Sequence, residues 1–230
     1  MDSATYLRHL RRELDAFRRC LDGDLAVPIE HCGDWTLLDL ADHLGRDNIW
    51  AVAAVVERRG DYESVPAPRE RAALVPWFEK GASVLLDVLD TDPATGAWTF
   101  HPPHTVGFWQ RRRALETLVH RWDAERALGI PGPLDLELVA DGIAEVFDTM
   151  APRMIARDRA RYPDSALRLV ATDTGGSWTY GPGAPVVTLF GPAEDLFLLL
   201  WGRLPRDSAG FTWEGDQRAG ELILDGPLTP

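Results

Sequence analysis

Glu116 and His120 stand four residues apart in the run Glu116-Thr117-Leu118-Val119-His120-Arg121-Trp122-Asp123-Ala124-Glu125, which reads as helix. An α-helix turns about 100° and rises about 1.5 Å per residue, so residues at that spacing lie nearly in line. Asp123 follows on the same stripe. A carboxylate and an imidazole so placed can close on one cation, but two ligands make a weak site. A third must come from elsewhere in the chain, and His43 is the best candidate. Taken by spacing alone, Glu116 and His120 also read as a surface pair, and His43 as a hydrogen-bonded core residue. Asp123 reads either as a partner that orients His120 or a metal-bound water, or as a salt bridge to Arg121 or Arg126.

These side chains need rigid elements to hold them, and the pattern supplies four. Tyr6, Leu7, Leu10, Leu14, Phe17 and Leu21 recur at helical spacing, giving an amphipathic helix over about 3–22. Thr36 followed by Asp39 starts a second helix in the manner of a capping box. That helix runs to about residue 58 on Leu37, Leu40, Leu44, Ala51 and Val55. His43 sits at the edge of this stripe, with Asp39, Asp47 and Trp50 as helical neighbours. A third helix spans about 69–89 and a fourth, carrying the opening motif, about 106–128, stopped by Gly129. Four helices of this length point to a bundle with ligands projecting inward. Residues 91–105 form a long loop rich in Pro, Gly, His and Trp, and such loops are often functional.

Ile130-Pro131-Gly132-Pro133 is the linker candidate, dividing the chain into 1–130 and 131–230. A fifth helix follows, ending near Pro152 or slightly beyond. The pattern then changes to short strands at 166–172, 177–180 and 186–190. An apolar helix to Trp201, a strand at 211–213 and a last helix over 216–224 complete a small mixed α/β region. The fold class is therefore α+β, a helical bundle followed by a smaller α/β domain.

The net charge of −12 argues against a nucleic-acid partner. Arg111-Arg112-Arg113, the only dense basic run, spreads around a helix and reads as a solvated face. Cys20 and Cys32 cannot build a disulfide framework. The longest apolar run, 196–201, is too short to span a bilayer. A cytoplasmic setting fits these features.

Two motifs together carry a resemblance. Trp35-Thr36-x-x-Asp39-Leu40-x-x-His43-Leu44 and Glu116-Thr117-x-Val119-His120-Arg121-Trp122-Asp123-Ala124-Glu125 resemble the two signatures of the mycothiol-dependent maleylpyruvate isomerase family, within the DinB-like metal-binding bundles. The resemblance implies a divalent metal, usually zinc, held by His43, Glu116 and His120, and it joins residues that spacing alone leaves apart. It also implies an arginine of the C-terminal domain near the metal, for which Leu200-Trp201-Gly202-Arg203 offers Arg203. One departure stands out: Cys32-Gly33-Asp34-Trp35 replaces the common Cys-Pro-Gly-Trp, altering the entry to the second helix without touching a ligand.

Three protein ligands with a vacant position suit a catalytic zinc site rather than a structural one. Two neutral histidines and one carboxylate leave the ion with a net charge of about +1, which an incoming thiolate neutralises. The expected activity is thus a metal-dependent, mycothiol-type thiol-dependent isomerase or S-transferase acting on a small electrophile through a metal-bound thiolate. Trp50 and Trp109, one or two turns from ligands, would wall the pocket and contact the cosubstrate, with Arg203 and Asp123 as the catalytic pair. The competing expectation is a metal- or small-molecule-binding resistance or regulatory protein without turnover. Either a monomer or a homodimer is compatible with the sequence.

Overall fold

The computed structural model describes residues 1–230 and divides the chain into two compact units, Met1–Pro133 and Leu134–Pro230. The first unit is built from α1 (Ser3–Cys20), α2 (Leu37–Val56), α3 (Arg71–Leu89) and α4 (Val106–Ala127). Each boundary has a local cause. Asp2 caps α1 by accepting from the Thr5 amide. Thr36 and Asp39 form a reciprocal capping box at α2, each side chain accepting from the other's backbone N–H. Gly129, at a φ of +71°, takes the left-handed conformation just past α4.

Helix α4 packs chiefly against α1 and also against α2, while α3 packs against α2. At Gly45 of α2 the Trp77 ring of α3 lies 2.3 Å from where a Cβ would stand, so only glycine admits this approach. Because α4 is covered on nearly all sides, the Arg111-Arg112-Arg113 run does not form the solvated face expected of it. Arg112, Arg113 and Arg121 are all buried, and only Arg111 of the triple-arginine run keeps partial exposure. Arg121 is neutralised by Glu13 of α1 at 2.6 Å and by Glu125 at 2.7 Å, which ties the first helix to the fourth.

The long loop before α4 is packed rather than free. The Trp98 amide donates to Ala54 O, and Trp98 and Phe100 join Trp50, Phe108 and Trp109 in an aromatic cluster. His104 is held through Nδ1, 2.7 Å from the Thr99 hydroxyl.

In the second unit α5 (Leu136–Glu145) passes through a π-helical turn (Val146–Met150) into α6 (Ala151–Ala156). Pro152 lacks an amide hydrogen, yet the helix carries on past it. The preceding turn has already shifted to i→i+5 bonding, with the Ala151 amide reaching Val146 O. Strands β1 (Ala166–Ala171), β2 (Ser177–Tyr180), β3 (Pro185–Gly191) and β4 (Thr212–Gly215) form one sheet in the order β2-β1-β3-β4. β1 and β3 run parallel, and the outer pairs are antiparallel. Helix α7 (Ala193–Leu200) packs on α5 and β1, and α8 (Gln217–Leu224) on β3 and β1. The architecture is a four-helix domain followed by a mixed α/β domain. No helix is long and apolar enough to cross a membrane.

Candidate metal centre

Helices α2 and α4 turn His43, Glu116 and His120 toward one point. A potential ligand atom of each lies within 4.8 Å of the others. His43 Nε2 stands 3.5 Å from Glu116 Oε1, and the two imidazoles meet edge to face at 5.1 Å between centroids. Ligand atoms around a tetrahedral zinc at about 2.0–2.1 Å are separated by roughly 3.3 Å, so the His43–Glu116 edge is already near the required length.

Each ligand is oriented from behind. Asp123 Oδ2 lies 3.1 Å from His120 Nδ1, one turn along α4, and its side chain is wholly buried. With Nδ1 engaged there, Nε2 is the nitrogen left for a cation. Asp123 makes this contact rather than a bridge to Arg121, whose guanidinium goes to Glu13 and Glu125. Glu116 Oε2 accepts from Arg113 Nη1 at 2.6 Å, with Arg112 Nε at 3.4 Å, leaving Oε1 facing His43. Arg113 is itself fixed by Asn48, whose Oδ1 accepts from Nε and Nη2. Trp35 leans on His43 with centroids 5.0 Å apart.

The electrostatics follow from burial and these partners. Burial would raise the Glu116 carboxyl, but the charges of Arg113 and Arg112 outweigh it and hold the group well below the usual range. Burial lowers His120, opposed in part by its bond to Asp123, so the ring favours the neutral form that a metal needs. Burial also presses on His43, yet the bond to Glu116 and the charge of Asp47 win and raise it. Asp47, 3.8 Å from His43, is pushed up to about 7 by burial and by the neighbouring Glu116 charge.

A hollow of about 430 Å³ opens beside His43, lined also by Arg46, Asp47, Trp50, Tyr62 and Ser64. Larger hollows lie elsewhere, lined by other residues, whereas this one reaches a member of the triad. Trp50 borders it and donates through Nε1 to Gly60 O. Trp109 is fully buried behind it and donates to Trp98 O, so it adds no surface to the hollow.

Residues 7–125 match the family model described as the mycothiol maleylpyruvate isomerase N-terminal domain, and residues 137–222 match that of the MDMPI C-terminal domain. The chain belongs to the mycothiol maleylpyruvate isomerase family. Its fold is similar to the crystal structure of the mycothiol-dependent maleylpyruvate isomerase, with a TM-score of 0.68 and 18% identity over 94% of this chain and 95% of that one. A histidine-to-alanine mutant of that enzyme gives a TM-score of 0.67 at the same identity and coverage. No curated protein sequence matches the chain.

Within this family member, Arg203 follows α7 in the second unit, half-buried, and donates through Nη1 to Trp201 O at 2.7 Å. His31, just before α2, stacks on Trp122. Sequence reasoning passed over Arg113, Asn48 and Asp47 as parts of the site. Arg113 lies three residues before Glu116, a helical spacing that could have flagged it. Cys32 is half-buried, with Sγ 3.8 Å from Asp123 Oδ2.

Proposed function

We propose that the protein is a divalent-metal-dependent, thiol-dependent isomerase or S-transferase of small electrophilic acids, with zinc as the metal and mycothiol as the cosubstrate. The convergence of His43, Glu116 and His120, backed by Asp123 and Arg113, is the observation that carries this reading. The donor set fits the ion: two imidazoles and a carboxylate, with no fourth protein group in the same cluster. When bound there, a divalent cation supplies Lewis acidity that lowers the pKa of a coordinating thiol.

The chain's own groups do the rest. Asp123 keeps the His120 proton on Nδ1, and Arg113 keeps Glu116 ionised with one oxygen forward. The hollow beside His43 takes the body of the thiol or its electrophile, with Trp50 as an apolar wall. The family resemblance makes Arg203 the proposed cation for a substrate carboxylate. In an isomerisation, thiol sulfur adds to one carbon of a double bond and the resulting single bond rotates. Loss of the same sulfur then restores the alkene, so no atom is gained.

Protein purified without chelator should contain about one divalent ion per chain, and His120→Ala should lose it. Conversion of maleylpyruvate should then require both that ion and mycothiol, and fall in Arg203→Ala with metal content unchanged. A protein that binds the ion yet is indifferent to every low-molecular-weight thiol would instead be a binding factor without turnover.

A further inference from the structure

His120 has a second face. Its Nδ1 points toward Asp123 Oδ2 at 3.1 Å, and the same carboxylate oxygen lies 3.8 Å from Cys32 Sγ. The potential ligand atoms of Cys32, His120 and Asp123 all lie within 4.8 Å of one another. Ligand edges around a tetrahedral zinc ion are about 3.3 Å for N and O at about 2.0–2.1 Å, and about 3.5 Å where S at about 2.3 Å meets O, and a larger ion spaces them somewhat wider. Both measured separations sit within a few tenths of an ångström of those lengths.

The turn that presents the thiol is well defined. The Ile29 amide donates to Trp35 O at 2.8 Å, the Cys32 amide to Ile29 O at 3.1 Å and the Trp35 amide to Cys32 O at 3.3 Å. Gly33 sits within this turn at a φ of +64°, which a proline cannot adopt, so the Cys32-Gly33 pair gives the loop a path closed to a Cys-Pro sequence. Asp123 is anchored on α4, and His31 packs its ring on Trp122 beside it.

We propose that Cys32, Asp123 and Nδ1 of His120 form a second site, selective for a thiophilic divalent ion such as cadmium, that competes with the His43–Glu116–His120 centre for one imidazole. Thiolate sulfur provides the preference for soft ions that the all-nitrogen-and-oxygen centre lacks. The proton balance explains the competition. Binding at Cys32 releases the thiol proton to solvent, and the His120 proton moves from Nδ1 to Nε2. A neutral imidazole has one free lone pair, so a ring ligating through Nδ1 has none left at Nε2. One ring thus serves one ion at a time.

The test is a cadmium titration of metal-free protein without any added thiol, followed by ultraviolet absorption. Sulfur-to-cadmium charge transfer should grow to one ion per chain in the parent and vanish in Cys32→Ser. Cobalt bound by the nitrogen and oxygen donors should keep its visible bands in Cys32→Ser, so failure of the second site is distinguishable from failure of the first. As a readout needing no variant, cadmium should shield Cys32 from alkylation by iodoacetamide, located by peptide mass. A sulfur band that survives in Cys32→Ser would assign the signal to Cys20 and overturn the proposal. So would cadmium binding without a sulfur band, or unchanged alkylation.

Discussion

Arg113 Nη1 donates to Glu116 Oε2 at 2.6 Å while lying wholly out of solvent, so a buried guanidinium sets which oxygen of a candidate metal ligand faces forward. Removing one partner of a buried ion pair typically costs about 3–5 kcal/mol, because the other charge is left stranded. Arg113→Met should therefore lower unfolding stability by several kcal/mol in a urea titration, since it also strands the Asn48 carbonyl oxygen. Metal affinity should fall as Glu116 regains its proton more readily. An Arg113→Met protein as stable as the parent would show that the pair contributes nothing.

Asp123 acts on the metal only through His120. Asp123→Asn keeps the volume but weakens the hold on the Nδ1 proton, and changes of this kind typically cost about 10–100-fold in metal affinity. Competition with a chromophoric chelator measures this directly. Unaltered affinity would leave Asp123 with a packing role alone.

Metal uptake should depend on pH through His43. Its Glu116 and Asp47 partners raise it above the ordinary histidine value of about 6.5, so the ring keeps its proton longer than a free imidazole does. A cation needs the neutral ring. Calorimetric affinity for zinc should begin to fall as pH drops while still above about 6.5. Heats measured in buffers of different ionisation enthalpy should reveal protons released per ion bound. A pH-independent affinity from 8 to 6 (roughly the histidine range) would contradict this.

Asp47 gives a stability signal whose sign can be worked out. Its native pKa of about 7 lies above the roughly 3.9 of an unfolded aspartate. Between those values the native state holds a proton that the unfolded chain has lost. The contribution is whole below about pH 4 and is lost as pH rises through about 7. Asp47→Asn is neutral at every pH, so in metal-free protein its advantage over the parent should widen from about pH 4 to 7 and then level off. Urea midpoints for both proteins across that range give the difference, expected to reach a few kcal/mol.

The α2 entry is a simpler case. Thr36→Ala removes one half of the capping box and should cost about 1 kcal/mol. Because this end of α2 lies close to His43, metal affinity should fall modestly alongside the urea midpoint.

Much of this was legible in the sequence because periodicity reports burial on one side. The stripes through Leu10, Leu14 and Phe17, and through Leu37, Leu40 and Leu44, gave α1 and α2 directly, and Thr36 with Asp39 marked where α2 begins. The change of pattern after the fourth helix announced the sheet region. The extent of α4 was legible too, about 106–128 against Val106–Ala127, but its burial was not, because an element covered on nearly all sides shows no polar face. Its buried Arg112 and Arg113 looked like solvent charge, since the α2 residue that helps bury Arg113, Asn48, is far away in sequence. The contact of Cys32 with Asp123 was not legible for another reason: it depends on a turn through Gly33 at positive φ, which composition does not specify.

Glu13 and Arg121 are separated by 108 positions along the chain. A ribosome must therefore extrude nearly all of the first unit before the guanidinium meets its counter-charge, and closing so wide a loop slows folding. Until then a nascent chain carries His43 without its later companions on α4, so the centre can assemble only once α4 has emerged and does not seed the folding of the helices before it.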